Sequence, residues 1–359
     1  MARDTYDLIV VGAGIVGLGH AAAAVERGLK VAIVERADAI AGASIRNFGH
    51  IGVGAHAGQA GEYARRSREL WLRLAERAGL WIRQDGAIAV ARHEDELAVL
   101  RESNAGPLLS ADEVSELVPV RGAVGGIRFA DDLQVDPRAA APAIAAHLGA
   151  RGVDFHWRTA ALGAETGTLH TTRGPLHAQA IVFAVNADVD QLFPEIAAAH
   201  DVQRCSLDML LADGVGLPVP LLTGSSMLRY SAFATTPAAA DVRARYERDA
   251  PEVLTYDVNQ MYTERPDGTL IVGDTHDVRV TPSPFQDERA FELLLSLGAD
   301  LFDAPLRVRE RWQGVYARAP HEFLKAAPAD GIRVVSVTTG IGMTCGLGLA
   351  ESVIDDLWR

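Results

Sequence analysis

Residues Asp7 to Glu35 read DLIVVGAGIVGLGHAAAAVERGLKVAIVE. Leu8 to Val11 form a short aliphatic run that suits a strand buried on both faces. Gly12, Gly14 and Gly17 then make a G-x-G-x-x-G turn. The first glycine permits the tight turn, the second lets the backbone approach a pyrophosphate, and the third lets helix and strand pack closely. A helix that opens at Ile15 aims its free N–H groups and the positive end of its dipole at a phosphate. The second strand closes on Glu35, 18 residues after Gly17. A carboxylate there can accept hydrogen bonds from both hydroxyls of a ribose. Strand, turn, helix, strand and acid in this order point to a bound dinucleotide.

The far end of the chain repeats this logic. Arg333 to Val337 reads as a strand, Gly340 to Gly348 as a glycine-rich turn, and Leu349 to Trp358 as a terminal helix. A second helix end aimed inward can polarise a developing anion, such as a reduced flavin carries at its N1–C2 carbonyl edge and NAD enzymes rarely need to stabilise; the alternative is close helix packing that requires Gly346 and Gly348. Between the two ends, Glu62–Ala78, Glu94–Ser103 and Arg138–Ala150 read as helices, and Ser110 to Glu113 as a capped helix start. Ala87–Ala91 and Ala180–Val185 read as strands. From Arg204 to Trp312 the character changes: Ser206–Leu211, Leu228–Ala232, Val253–Val258, Gln260–Glu264 and Thr269–Gly273 read as strands of a mostly antiparallel sheet, followed by a helix over Asp287–Leu301. The expected fold class is α/β, with a discontinuous Rossmann-like nucleotide-binding domain (1–85, 138–204 and 320–359) and an inserted α+β substrate domain (86–137 and 205–319).

Bulk properties narrow the partners. The chain has 359 residues and a net charge of −13, which argues against nucleic acid. Lys30 and Lys325 are its only lysines, so few amines are available as bases or Schiff-base formers. Cys205 and Cys345 form neither a disulfide framework nor a metal site. With no apolar leader before the first strand and no 18-residue apolar run, the expectation is a cytoplasmic protein with no membrane span. The oligomeric state is left open.

The chain resembles the FAD-dependent amine and amino-acid oxidase superfamily, which includes glycine oxidase, D-amino-acid oxidase and monomeric sarcosine oxidase. The resemblance rests on GAGIVG with Glu35, the loop Gly42-Ala-Ser-Ile-Arg-Asn-Phe-Gly-His-Ile, Asp136-Pro137, Val182-Phe-Ala-Val-Asn-Ala, Arg311-Trp-Gln-Gly and Thr339-Gly-Ile-Gly. More narrowly, ASIRNFGH with RRSRELW and RWQGVYAR is similar to a branch associated with bacterial phosphonate catabolism. The resemblance implies that Gly12, Gly14 and Gly17 hold the FAD pyrophosphate, with Ile15 and Val16 beside them, and that Glu35 holds the ribose next to Arg36. It implies further cofactor contacts from Ala43, Ser44 and Asn47, from Ala161, and from Ala184 and Asn186, where the family usually has glycine at the last position. Gly340, Ile341, Gly342, Met343 and Thr344 would face the flavin ring and ribityl chain. Gly314 stands where the sarcosine-oxidase branch has a flavin-linking cysteine, so the FAD is expected to be non-covalent.

The same resemblance implies oxidation of a C–N bond of a small amine by hydride transfer to flavin N5, giving an imine and then an aldehyde plus an amine. Oxygen is the expected acceptor, although the family's flavin-side lysine has no evident counterpart here. Family members commonly hold the substrate carboxylate with the arginine of a Trp-x-Gly-x-Arg-Pro motif. Here Tyr316 occupies that position and Arg318 lies two residues on. The substrate is therefore open to carrying another anion, such as the phosphonate of an N-alkylated 2-aminoethylphosphonate. Arg46, Tyr230 and Tyr262 are candidate substrate contacts, and His50, Tyr316 and Arg318 candidate catalytic groups; no metal site is expected. Two other functions stay open: an FAD-dependent 2-hydroxy acid dehydrogenase using an acceptor other than oxygen, and a non-catalytic flavoprotein.

Overall fold

The computed structural model describes residues 5–359. Its first half-unit is β1 (Thr5–Val11), α1 (Ile15–Glu26) and β2 (Val31–Val34). Helices α2 (Gly58–Ala78) and α3 (Pro137–Ala150) follow, then β3 (Asp154–His156) and β4 (Leu176–Phe183). The inserted part contributes β5 (Gln203–Asp213), β6 (Met261–Glu264), β7 (Thr269–Gly273) and α4 (Glu288–Phe302). A long β8 (Val308–Ala329) leads back through β9 (Ile332–Thr339) to α5 (Gly342–Leu357).

Five strands run parallel in the order β9-β4-β1-β2-β3. From β9 the same sheet continues through antiparallel β8, β5, β7 and β6. It then takes in Leu221–Leu222, Ala87–Ala91, Gly125–Phe129 and Leu108–Ser110. Side chains alternate across the pleat. Leu8 and Val10 pack among α1, α2, α3 and α5, whereas Ile9 and Val11 pack on the opposite face with Val34, Ile181 and Phe183. The inserted strands enclose a further core around Met209, Leu211, Met261 and Phe233.

Three readings of the sequence need correction. Leu228–Ala232 is not a strand: the 3₁₀ turn Gly224–Leu228 runs into a short helix, Ser231–Ala234. Val253–Val258 is not one either, because Pro251, with its preset φ, opens the helix Pro251–Thr255. Short apolar runs do not distinguish these outcomes by periodicity. The terminal helix also starts earlier than expected, at Gly342. Gly346 and Gly348 lie inside it because of close packing: a Cβ on Gly346 would lie 3.2 Å from Val16 Cγ2 in α1, and one on Gly348 would lie 2.6 Å from the Tyr63 main-chain oxygen in α2. Helix Ala239–Asp249 had no counterpart in the sequence reading.

Candidate cofactor and substrate site

A cavity of about 660 Å³ opens at the carboxyl ends of the parallel strands, where the N-termini of α1 and α5 converge. Its wall includes Gly12, Gly14, Ile15 and Val16 at the first turn, and Glu35 and Arg36 at the end of β2. The loop after β2 adds Ala43, Ser44, Arg46 and Asn47, and Ala161, Ala184 and Asn186 come from the far side. Gly340, Gly342 and Met343 supply the α5 end. Gly17, Ile341 and Thr344 do not line it. Gly17 is a packing residue, since a Cβ there would fall 1.9 Å from the Gly12 main-chain oxygen. Ile341 is the N-cap of α5, and the Thr344 hydroxyl accepts the Gly52 N–H at 3.1 Å.

The wall is preorganised. Gly12 has φ +105°, and a Cβ on it would meet the Ala184 carbonyl at 2.5 Å. The Ser44 hydroxyl accepts the Ile15 N–H at 2.8 Å and so pins the loop over the glycine turn. Glu35 accepts one bond on each oxygen, from Ala13 N–H at 2.9 Å and Ala37 N–H at 3.0 Å. A carboxylate has about four lone-pair sites, so acceptor capacity remains for ribose hydroxyls. The buried Ser336 hydroxyl lines the cavity without a partner, and the buried Thr339 hydroxyl beside Gly340 is likewise unpaired. Buried hydroxyls are normally satisfied, so the Ser336 hydroxyl on the wall fits a polar ligand in the cavity. Glycine cradle, anchored acid and the unpaired Ser336 hydroxyl together fit FAD.

Asn186 has a second task. It sits in the left-handed region at φ +57°. Its side chain donates to the Val315 carbonyl at 3.1 Å and accepts the Ala317 N–H at 2.7 Å. These are the peptide groups on either side of Tyr316, where β8 runs on past the end of β9.

Tyr316 lines the cavity, with its ring against Gly340, where a Cβ would lie 3.0 Å from Cζ. It shares a hydrogen bond with Cys205, and burial pushes the Tyr316 hydroxyl well above its usual pKa and the Cys205 thiol up to about 11. Next to them is a polar cluster that the sequence reading missed: Arg229, Asp257, Asn259, Asp274 and His276, none of which is among the residues that line the cavity. Arg229 pairs with Asp257 at 2.7 Å. Burial works against its charge, but Asp257, Tyr316 and Asp274 outweigh burial and hold the guanidinium charged. Burial raises Asp274 to about 7, against the pull of Arg229 and the bond from Asn259. Burial and Arg229 lower His276 to about 3. Arg229 was hidden by the mistaken strand over Leu228–Ala232. Asp257 was hidden likewise by the mistaken strand over Val253–Val258, and for Asp274 and His276 the available signal was their position just beyond the apolar run of β7.

The remaining candidates divide. Arg46 lines the cavity and donates to the Gln313 carbonyl at 3.2 Å. Tyr230 and Arg318 lie off the wall, in the electrostatic surroundings of the cluster: Tyr230 responds to Asp274 and Arg229, and Arg318 acts on His276 and Cys205. His50 is also off the wall. Its Nε2 meets Asp132 at 2.8 Å, and Asp132 also accepts the Val53 and Gly54 N–H groups, a network that fixes the loop. Tyr262 is a correction: it is fully buried on β6, accepts from Gln260 Nε2 at 2.9 Å and packs edge-on against Phe302, away from the cavity. Neither lysine lines the cavity; Lys325 donates to the Tyr63 hydroxyl at 3.1 Å. Among the described residues no cluster of His, Cys, Asp or Glu is arranged to hold a metal ion, and no helix is long and apolar enough to cross a membrane.

The chain is 30% identical over 212 residues to a glycine oxidase of Bacillus licheniformis, a match covering 54% of this chain and 58% of that protein. A 47-residue stretch is 49% identical to an aerobic glycerol-3-phosphate dehydrogenase of Staphylococcus aureus, covering 13% of this chain and 8% of that one. The fold is similar to the crystal structure of glycine oxidase from Geobacillus kaustophilus, with a TM-score of 0.78, 19% identity and coverage of 98% and 94% of the two chains. It is also similar to L-proline dehydrogenase from P. horikoshii, with a TM-score of 0.81, 16% identity and coverage of 99% and 94%. The family model described as DAO, FAD dependent oxidoreductase, matches residues 7–355. With that span matched, the chain belongs to the DAO family of FAD-dependent oxidoreductases.

Proposed function

We propose that this chain oxidises the C–N bond of a small amine that carries an anionic group, with an N-alkylated 2-aminoethylphosphonate as the leading candidate. Bound FAD supplies the hydride acceptor. Gly12, Gly14 and the α1 end would hold its pyrophosphate, Glu35 its ribose, and the α5 end its flavin ring. The chain's own work is to orient the amine, exclude water and balance charge. The observation that carries this reading is Arg229, a guanidinium with 22% side-chain exposure, held by Asp257 beside Tyr316. Arg229 does not itself line the cavity but stands beside Tyr316, which does, and it is the cation this reading assigns to the substrate's anion. Arg46 on the cavity wall is a second cation for the same purpose. The free, buried cysteines Cys205 and Cys345 suit a reducing compartment, and a cytoplasmic location is part of the same reading.

Anaerobic mixing of the yellow enzyme with N-methyl-2-aminoethylphosphonate, glycine, sarcosine and lactate tests it. The expected outcome is bleaching by the phosphonate amine. Arg229→Met should raise the concentration needed for half-maximal bleaching about tenfold to hundredfold, the value of a hydrogen bond to a charged group. Glycine turnover without phosphonate turnover would remove the phosphonate. Bleaching by lactate alone would favour the hydroxy acid dehydrogenase, and no bleaching by any of them a non-catalytic flavoprotein. Acid precipitation is expected to release all the flavin into the supernatant, since Gly314 offers no side chain for a covalent link.

A further inference from the structure

Within the cluster beside Tyr316, Asp274 and His276 form a pair whose geometry fixes where protons can sit. His276 Nδ1 is 2.8 Å from the main-chain oxygen of Asp257. A carbonyl only accepts, so Nδ1 carries the proton and Nε2 presents a bare lone pair. That lone pair faces Asp274 Oδ2 at 3.7 Å. The other carboxylate oxygen accepts from Asn259 Nδ2 at 3.1 Å, and two main-chain bonds of 2.8 and 2.7 Å join Asn259 and Asp274. The two side chains of the pair are each only 5% exposed. Two acceptors therefore face one another in a dry place with no donor between them. One added proton converts this contact into a donor–acceptor pair.

The surrounding charges determine when that proton arrives. Arg229 and Asp257 face the pair from the segments before and after helix Ala239–Asp249, and Tyr230 lies beside Arg229. Cys205 on β5 and Tyr316 and Arg318 on β8 complete the surroundings. Burial is the largest influence on both partners: it raises Asp274 to about 7 and lowers His276 to about 3. Asp274 therefore takes the proton first, near neutral pH.

We propose that the Asp274–His276 pair is the proton acceptor for the ammonium group of the substrate, an assignment that rests on the amine reading above. An amine gives up hydride from its α-carbon only with its nitrogen lone pair free, and in water near pH 7 it is mostly protonated. In the step, one N–H bond of the ammonium breaks and its electron pair stays on nitrogen. The proton bonds to Asp274 Oδ2 and points at His276 Nε2. The pair goes from a charge of −1 to zero, and no oxidant or reductant is consumed. Asp274 must be ionised to accept, so the reaction fades as pH falls through about 7.

The test is the pH dependence of anaerobic flavin reduction by N-methyl-2-aminoethylphosphonate and by sarcosine, whose ammonium groups differ in pKa. With the pair as acceptor, the acid limb bends at the same pH for both substrates, with about a tenfold loss per pH unit below it. In Asp274→Asn the limb moves up to each amine's own pKa, and reduction at pH 7 falls about hundredfold. Infrared difference spectra of the FAD-loaded protein, without substrate, should show a protonated-carboxyl band that titrates in wild type and is absent in Asp274→Asn. A wild-type limb that follows the substrate overturns the proposal and leaves amine oxidation intact, as does an Asp274→Asn limb that stays in place. If the variant does not fold, the two-substrate comparison on wild type decides alone. If no amine reduces the flavin, the amine reading itself fails and the assignment falls with it.

Discussion

One methyl group decides whether the first turn can exist. A Cβ on Gly17 would stand 1.9 Å from the Gly12 carbonyl oxygen and 3.3 Å from Val10 Cγ1, and neither the turn nor the buried strand can yield that space cheaply. Gly17→Ala is expected to cost about 3 kcal/mol, the upper part of the usual range for overpacking, and to release FAD, read as a lower melting temperature and loss of visible absorbance. This residue was legible in the sequence because its constraint is local: three glycines, a strand before and a helix after. Tyr230 and Tyr262 show the opposite case. Both are tyrosines in the inserted region, and nothing local separates them. Pairing of β6 with β7 and with Leu221–Leu222 turns Tyr262 into the core, while Tyr230 caps a short helix beside Arg229.

At the scale of elements, the sequence placed the start of α5 too late but did offer the packing role of Gly346 and Gly348. Its glycines read as a turn, because glycine in a helix interior is costly in isolation. Close approach to α1 and α2 reverses that judgement. The Trp71 indole in α2 donates to the Met343 carbonyl at 2.8 Å, and the Ser67 hydroxyl accepts the Gly348 N–H at 2.8 Å, so α2 holds the first turns of α5 directly. Gly348→Ala should push the two helices apart at Tyr63, lower stability by about 2 kcal/mol and weaken FAD binding as the α5 N-terminus shifts. Thermal melts and flavin titration of the purified apoprotein measure both. The central parallel strands were legible for a related reason: a strand covered on both faces shows its burial as an unbroken apolar run, as Leu8–Val11 of β1 and Ala180–Phe183 of β4 do. The short helices of the insertion bury too little to leave such a pattern.

For the molecule as a whole, the response to acid follows from buried histidines. His20 in α1 is fully buried; its Nδ1–H donates to the Val16 carbonyl at 2.7 Å and its Nε2 has no partner. Burial lowers it to about 4, and His56 moves the same way, also to about 4. The unfolded chain takes up these protons first, at about pH 6.5. Stability is therefore full above that pH and declines as pH falls towards 4, by about 3 kcal/mol for His20 alone. Asp274, raised to about 7, has the opposite sign: it favours the fold in acid and loses that contribution as pH rises through 7. Urea midpoints measured from pH 7 down to 4.5 should fall, and His20→Leu should flatten the decline. A slope unchanged in that variant would assign the acid sensitivity elsewhere.

The amide of Asn186 gives this architecture a built-in gauge. Where β8 overhangs the end of β9, its exposed edge would otherwise show two bare peptide groups, and one side chain rooted at the end of β4 covers both. The length of that side chain thus fixes how far the overhang stands from its root, and Tyr316, which lines the cavity, lies between the two anchored peptide groups. A shorter side chain at residue 186 would leave the Val315 carbonyl and the Ala317 N–H without these partners and release the stretch of β8 that carries Tyr316.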